Sequence, residues 1–452
     1  MDILILGATG FIGSAIASKL AEDGHRVTGL GRDPARAARK MPQLQWLRAD
    51  LARLTRSADW REILAGHEVV VNCAGALQDG LADDLVAAQE RAMLALYEAA
   101  RNCRLKLVVQ VSADTESSGR DLPFLATKRK ADAALAASGL PYVILRPALV
   151  LGRNAHGGSA LLRALAALPF AIPLVHGASP VATVALDNVG DAVSKAIDGT
   201  FPAGSDLVLG HGDSLTLQEL VLLHRRWLGL RPASAIPLPV GLARPVTWLA
   251  DLAGRLGWRS PLRSTAMAVM SGGVKVRIGP QIGTDLRGAR CANSKSSDLC
   301  ASEKTRGAVE LQSAAEMLDA APSGVQDLWF ARLYLLKPLI IGTLSIFWLL
   351  SGVLPFLAFD AARSHFAALL PPPFAGLMTL AACLADVALG LAVLVQPWAK
   401  RALIGMLCLT LAYLAAATLA EPGLWLDPLG PLVKVFPSIL LTLVALAILD
   451  ER

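Results

Sequence analysis

Three glycines near the start of the chain, Gly7, Gly10 and Gly13, stand at G-x-x-G-x-x-G spacing. A backbone without side chains at these points can approach a pyrophosphate closely, and the N–H groups opening a helix can meet its charge. The candidate contacts are Gly7, Thr9, Gly10, Phe11, Ile12 and Gly13. About twenty residues further on comes Gly31-Arg32-Asp33-Pro34. A carboxylate at such a strand end binds a ribose hydroxyl, whereas an arginine accommodates the 2′-phosphate of NADP. Arg32, with Arg36 behind it, therefore favours NADP(H), with NAD(H) the alternative. A plainer account, in which Arg32, Arg36, Arg39 and Lys40 form one solvated helix face, stays open.

The elements that must carry these residues are legible as periodicities. Ile3 to Leu6 is continuously apolar, as a strand buried on both faces should be, and Ile12, Ile16 and Leu20 recur at helical intervals. Arg26 to Leu30, Leu44 to Leu47, Val69 to Val71 and Leu107 to Val111 read as further strands separated by helical patterns. Such alternation predicts a doubly wound parallel sheet. Asp50, in Ala49-Asp50-Leu51, and Ala74-Gly75 then fall at carboxyl ends of strands, the edge where open α/β sheets bind ligands. The amphipathic stretch from Leu81 to Cys103 assigns Met93, Leu94 and Leu96 to the core. Thr216-Leu217-Gln218-Glu219 has the spacing of a capping box and opens a helix to about Leu228. His156, His176 and His211 lie in glycine-flanked loops and are read as ordinary loop histidines.

Composition narrows the classes. The six cysteines are scattered, with no C-x-x-C pair and no histidine pairs at ligand spacing, so neither a disulfide framework nor a metal site is expected. A net charge of +6 without a basic stripe interleaved with aromatics argues against nucleic acid. No basic segment precedes an apolar stretch at the N-terminus, so a cleaved signal peptide is not expected and the first domain is placed in the cytoplasm.

In order along the chain, GATGFIG, Ala49-Asp50-Leu51, Asn72-Cys73-Ala74-Gly75, Val109-Gln110-Val111-Ser112 and Leu145-Arg146-Pro147 resemble the landmarks of short-chain dehydrogenases/reductases of the extended or atypical kind, such as the NmrA-like proteins. The resemblance covers roughly residues 1–230. It implies a Rossmann fold, a nicotinamide cofactor held partly by Asp50, Leu51, Ala74 and Gly75, and a catalytic group of serine, tyrosine and lysine. Ser112 and Lys128 match that group, but the tyrosine position is Phe124. A phenyl ring cannot give or take a proton, so the usual carbonyl chemistry lacks its acid. Lys128 is expected to hold the nicotinamide ribose; the alternative is an exposed run with Arg129 and Lys130.

A hydrophobic content of 54% in 452 residues implies a membrane portion. Four apolar stretches, 338–359, 374–395, 402–420 and 431–449, have the length of spans. Arg332, Lys337, Lys400 and Arg401 mark one side of the bilayer; 421–430 carries no basic residue and 360–373 only Arg363. The positive-inside rule puts both termini in the cytoplasm, in a protein of the bacterial inner-membrane type. Trp329, Trp398 and Trp425 sit near the ends of spans, as interfacial anchors do. Asp386, midway along the second span, should face the bundle interior, against Thr410 or Tyr413 or as a quinone or proton site, because a lipid-facing carboxylate costs roughly 2.5–3.5 kcal/mol. The four-span pattern and Arg332 to Pro338 resemble the DoxX-like membrane proteins.

The resulting architecture is an α/β doubly wound Rossmann domain with its substrate region (1–270), a polar linker (271–327, its composition changing most sharply over 272–311) and an all-α four-helix transmembrane domain (328–452). The function this implies is a membrane-anchored NAD(P)(H)-binding oxidoreductase acting on an apolar or membrane-associated substrate such as a quinone or lipid. The rival is a catalytically silent NAD(P)H-binding sensor or assembly factor at the membrane. A small transporter with a regulatory head ranks below both.

Overall fold

Ile3 and Ile5 point to one side of their strand and Leu4 and Leu6 to the other, and all four are fully buried. This requires a sheet covered on both faces. The computed structural model describes residues 1–75, 84–115, 122–212, 215–271, 273–274, 309–367, 371–428 and 430–450. Its first elements are β1 (Asp2–Leu6), α1 (Phe11–Glu22), β2 (Arg26–Gly31), α2 (Pro34–Lys40), β3 (Gln45–Arg48), α3 (Arg61–Leu64), β4 (Val69–Asn72), α4 (Ala92–Ala100), β5 (Leu107–Val111), α5 (Pro123–Ala136) and β6 (Tyr142–Pro147). There follow β7 (Leu149–Leu151), α6 (Gly158–Ala166), β8 (Ala171–Leu174), β9 (Pro180–Val181), β10 (Thr183–Ala185), α7 (Leu186–Ile197), β11 (Ser205–Leu209), β12 (Leu215–Thr216), α8 (Leu217–Trp227), β13 (Ser234–Pro237), α9 (Val240–Arg255) and α10 (Ser264–Ser271).

Seven strands form a parallel sheet in the order β11-β6-β5-β4-β1-β2-β3. The order reverses between β1 and β4, so their carboxyl ends diverge into the crevice where such sheets take ligands. Ile3, Ile5, Val69, Val71 and Val109 pack under α1 and α7, through Ile16, Leu20, Val189 and Val193. On the opposite face Leu4, Leu6, Val70 and Val108 meet α4 and α5, through Met93, Leu96 and Leu135. Leu94, expected beside Met93 in the core, is instead exposed, because one residue turns the helix by about 100° away from that contact. The capping box closes as its spacing requires: Glu219 donates its N–H to Thr216 Oγ1 at 3.2 Å and accepts from the Thr216 N–H at 2.8 Å.

Residues 1–251 and 261–328 form one compact unit, and 252–260 with 329–452 a second. The polar stretch from 272 lies outside the described residues at 272 and 275–308, with Cys291 and Cys300. After it the chain departs from the expected linker. Val309 and Leu311 are buried in the sheet core, and Ala314–Ala320 is a helix capped by Ser313 and Glu316. Asn188 fixes the piece between them, donating Nδ2 to the Glu310 carbonyl at 3.0 Å and accepting the Gln312 N–H at 2.9 Å.

The second unit has three helices long and apolar enough to cross a membrane among the described residues: Val325–Leu357, Pro373–Ala392 and Gln396–Ala420. The fourth expected span is shorter. Its α-helix is Phe436–Ala447, preceded by a 3-10 turn at Val433–Val435. Pro437 falls in its first turn, where proline is accommodated. The short helix nevertheless packs with the others through Ala445 and Leu441, and the Leu449 carbonyl accepts from Lys337 Nζ at 3.0 Å. The 360–373 connection contains a further helix, Phe359–Ala367.

Candidate functional site

The turn after β1 is built by its glycines. Gly7 has φ +73°, and a Cβ there would lie 2.9 Å from the Ala74 nitrogen at the end of β4. A Cβ on Gly13 would run into the Gly7 carbonyl, so α1 can lie against β1 only with glycine at this position. The Gly10 N–H bonds the Gly7 carbonyl at 2.9 Å, closing the turn. No side chain caps Gly10 and no acid occupies the first turn of α1, so its N-terminal N–H groups and their partial positive charge are presented to the crevice. These are the features of a pyrophosphate cradle, and the residues fit a dinucleotide.

The end of β4 is fixed from within the protein. Asn72 Oδ1 accepts the Ala74 N–H at 2.9 Å, and Asn72 Nδ2 donates to Gln110 Oε1 at 2.8 Å, which also accepts from Tyr97. Burial pushes the Cys73 thiol up to about 12, so it remains a protonated packing group. The edge at β2 and β3 is more open. Arg32 is exposed just past β2, and Thr9 lies beside Gly31. Asp33 caps α2 at the Arg36 N–H, while Asp50 accepts the Ala52 N–H at 3.2 Å and starts the 3-10 turn Leu51–Arg53.

At the other end of the crevice, Lys128 Nζ donates to the Val111 carbonyl at 3.2 Å and lies 3.6 Å from where a Gly75 Cβ would stand. Lys128 is therefore directed into the site rather than onto an exposed basic face. Burial lowers its pKa from the ordinary lysine value, opposed by the nearby Asp132 carboxylate. Phe124, one turn earlier on α5, is buried against Leu85 and Leu125, with Val269 of α10 packed on the same cluster. Ser112 is turned away from a free role, because its Oγ donates to Asp132 Oδ2 at 2.6 Å.

Asp132 is the residue that sequence reasoning missed. It is buried, and it also meets Arg146 at 2.9 Å, while Arg146 makes a bidentate pair with Asp206 at 2.7 and 2.9 Å. Burial pushes the Asp132 carboxyl up, against the Arg146 guanidinium and the Ser112 hydroxyl, which favour its ionised form. Its position four residues past Lys128 placed it on the same helix face, and that spacing was the available signal. His156 was also missed: its ring stacks on Phe11 at 5.9 Å between centroids, which brings the loop after β7 over the glycine turn. Arg163 holds that loop from behind through the carbonyls of Gly152 and Arg153, with Trp227 stacked on its guanidinium and Asp327 at 3.4 Å.

In the second unit, Asp386 is 3% exposed and accepts from Ser351 Oγ at 2.8 Å and Tyr413 OH at 2.9 Å. It thus faces the bundle interior. Thr410, the other expected partner, bonds its own helix at the Met406 carbonyl. Among the described residues no group of three or more His, Cys, Asp or Glu is placed to hold a metal ion.

Comparison with known proteins follows the same division. Residues 7–168 match a family described as NAD(P)H-binding, and residues 345–443 match the DoxX-like family. A ceramide reductase of Caulobacter vibrioides is 28% identical over 198 residues, which are 43% of this chain and 59% of that protein. The chain thus spans less than two thirds of the length of this relative. Among solved structures, the UDP-glucose 4-epimerase of Thermotoga maritima is 20% identical with a TM-score of 0.45, over 53% of this chain and 87% of that one. A UDP-glucuronic acid 4-epimerase from Bacillus cereus is 19% identical with a TM-score of 0.44, over 61% of this chain and 94% of that one.

Proposed function

We propose that this chain, an NAD(P)H-binding Rossmann domain joined to a DoxX-like domain, is a membrane-anchored oxidoreductase that prefers NADP(H) and acts on an apolar, membrane-associated substrate such as a quinone or a lipid. The observation that carries the reading is the pairing of an intact glycine turn with a Lys128 amine held over Gly75 by the Val111 carbonyl. The likeness to a ceramide reductase is in keeping with a lipid substrate. When bound, the nicotinamide supplies or accepts the hydride.

Each residue of the chain then has a part. Gly7, Thr9, Gly10, Phe11, Ile12 and Gly13 receive the pyrophosphate, Arg32 the 2′-phosphate, and Asp50, Leu51, Ala74 and Gly75 line the path between. Lys128 holds the ribose and keeps a positive charge beside the reacting ring. Phe124 contributes an apolar wall and no proton, so a substrate whose reduced form draws its proton from water is best suited to the site. The N-terminal unit faces the cytoplasm on the side marked by Lys400 and Arg401.

A second reading has its own observation. With phenylalanine at position 124 and the Ser112 proton committed to Asp132, a silent NAD(P)H sensor or assembly factor would need nothing the site lacks. NADPH oxidation by the purified chain in vesicles, against a quinone and long-chain carbonyl panel, separates the two. Turnover with at least one lipid-soluble acceptor is expected. NADPH binding without turnover of any would overturn the enzyme in favour of the sensor.

A further inference from the structure

Helix α9 turns an apolar face outward. Ala243, Ala250 and Gly254 are its buried positions, while Leu242, Val246 and Leu249, spaced i, i+4, i+7 along the flank of that buried line, are 65%, 48% and 58% exposed. Leu252 and Trp248 extend the exposed surface. A soluble helix has the reverse pattern, and a contiguous exposed patch of this kind marks a surface for a partner. The charges around it are basic: Arg244, Arg255 and Arg259 are exposed, and the one acid of the helix, Asp251, is taken by Arg263 at 3.2 Å.

The chain immediately after α9 belongs to the membrane unit. Trp258 Nε1 donates to the Leu394 carbonyl at 2.6 Å, and the Leu256 carbonyl accepts the Gln396 N–H at 3.0 Å. Residues 393–395 join the apolar helices Pro372–Ala392 and Gln396–Ala420. Lys337, just before the first apolar stretch, lies 5.7 Å from the Trp258 ring centroid. The last turn of α9 is therefore tied to the end of the bundle at which the apolar stretches begin, the depth where hydrocarbon gives way to headgroups.

We propose that α9 is an interfacial helix. Leu242, Val246, Leu249 and Leu252 insert at the boundary of acyl chains and headgroups, Trp248 lies at the interface, and Arg244, Arg255 and Arg259 meet anionic lipid phosphates. The partner is the lipid surface of the leaflet on the Lys400 side. The inference goes beyond the oxidoreductase reading and holds equally for a silent sensor.

The test places photoreactive p-benzoylphenylalanine singly at Leu242 and Leu249 in the full chain, reconstituted in vesicles of phosphatidylcholine and phosphatidylglycerol. Leu411, an exposed position within the Gln396–Ala420 helix, serves as the lipid-facing reference, and Glu62, exposed on α3, as the aqueous one. Illumination should give phospholipid adducts at 242, 249 and 411 and none at 62, with the yield at 242 and 249 falling when phosphatidylglycerol is omitted or when Arg244 and Arg255 are changed to glutamate. Adducts at 411 without adducts at 242 and 249 would overturn the proposal. So would cross-linked dimers in place of lipid adducts, which would assign the face to a second copy of the chain.

Discussion

Restoring a phenol by Phe124→Tyr should change rate and stability in opposite directions. The ring of Phe124 is 8% exposed among Leu85, Leu125 and Val269, so a hydroxyl added there without a partner costs about 1–3 kcal/mol of stability. If the hydroxyl instead turns toward the Lys128 side of α5, one helical turn away, it finds the amine that would favour its ionised form. A positioned acid is typically worth about 10² to 10⁴ in rate, or roughly 3–5 kcal/mol of barrier. Single-turnover NADPH oxidation by the purified variant should rise by about those factors with aldehydes and ketones and much less with quinones. Urea denaturation should register the cost. Fast carbonyl reduction by the unmodified chain, equal to that of the variant, would refute the reasoning and reveal an acid elsewhere; the Ser112 and Asp132 pair would be the first to test.

Four further outcomes follow from the same geometry. Gly13→Ala forces a Cβ against the Gly7 carbonyl, so the unfolding free energy should drop by about 1–3 kcal/mol and NADPH titration should weaken with it; NADPH affinity retained in full would dissociate this glycine from the cradle. Arg32→Ala should erase a preference for NADPH over NADH in calorimetric titration, and an unchanged ratio would remove Arg32 from the 2′-phosphate. Burial lowers His224 from 6.5 to about 4, so the unfolded chain takes its proton first as pH falls; stability is complete above pH 6.5 and is lost toward pH 4, by up to about 3 kcal/mol. His224→Leu should flatten that loss in denaturation followed by tryptophan fluorescence. Asp386→Ala leaves the Ser351 and Tyr413 hydroxyls unpaired and should cost about 1–3 kcal/mol in detergent, whereas Asp386→Asn, which still accepts hydrogen bonds, should cost less.

The Rossmann half was readable because its signals are local. The continuous apolar run of β1, three glycines at fixed spacing and the Thr216 to Glu219 cap each determine structure within a few residues. The features that escaped depend on distance. Asp132 is one acid on a helix until folding brings Ser112 and Arg146 to it, and His156 is a loop histidine until β7 delivers it onto Phe11. The expected linker failed at Val309 and Leu311 because two apolar residues after a polar run form no period, yet they complete the core. The fourth apolar stretch is likewise a helix, but hydropathy registers Pro431 to Leu449 as continuous, while the α-helix within it runs only from Phe436 to Ala447.

One face of α5 determines what chemistry remains open. Phe124, Lys128 and Asp132 follow one another at helical spacing, so the helix offers an apolar ring, a cation and an anion in line. The anion is used within the protein, since Asp132 binds Ser112 and Arg146, and Arg146 is further held by Asp206. The cation is held beside Gly75, at the carboxyl ends of the strands, by the Val111 carbonyl. No hydroxyl of this face is then left to protonate a developing alkoxide, whose conjugate acid has a pKa far above neutral and which therefore needs its proton during the transfer. A hydroquinone anion does not, because its charge is delocalised and water can protonate it after the hydride has moved. On the oxidoreductase reading proposed above, the site would be selective by what it omits, favouring an acceptor that stabilises its own negative charge over one that relies on the protein to do so.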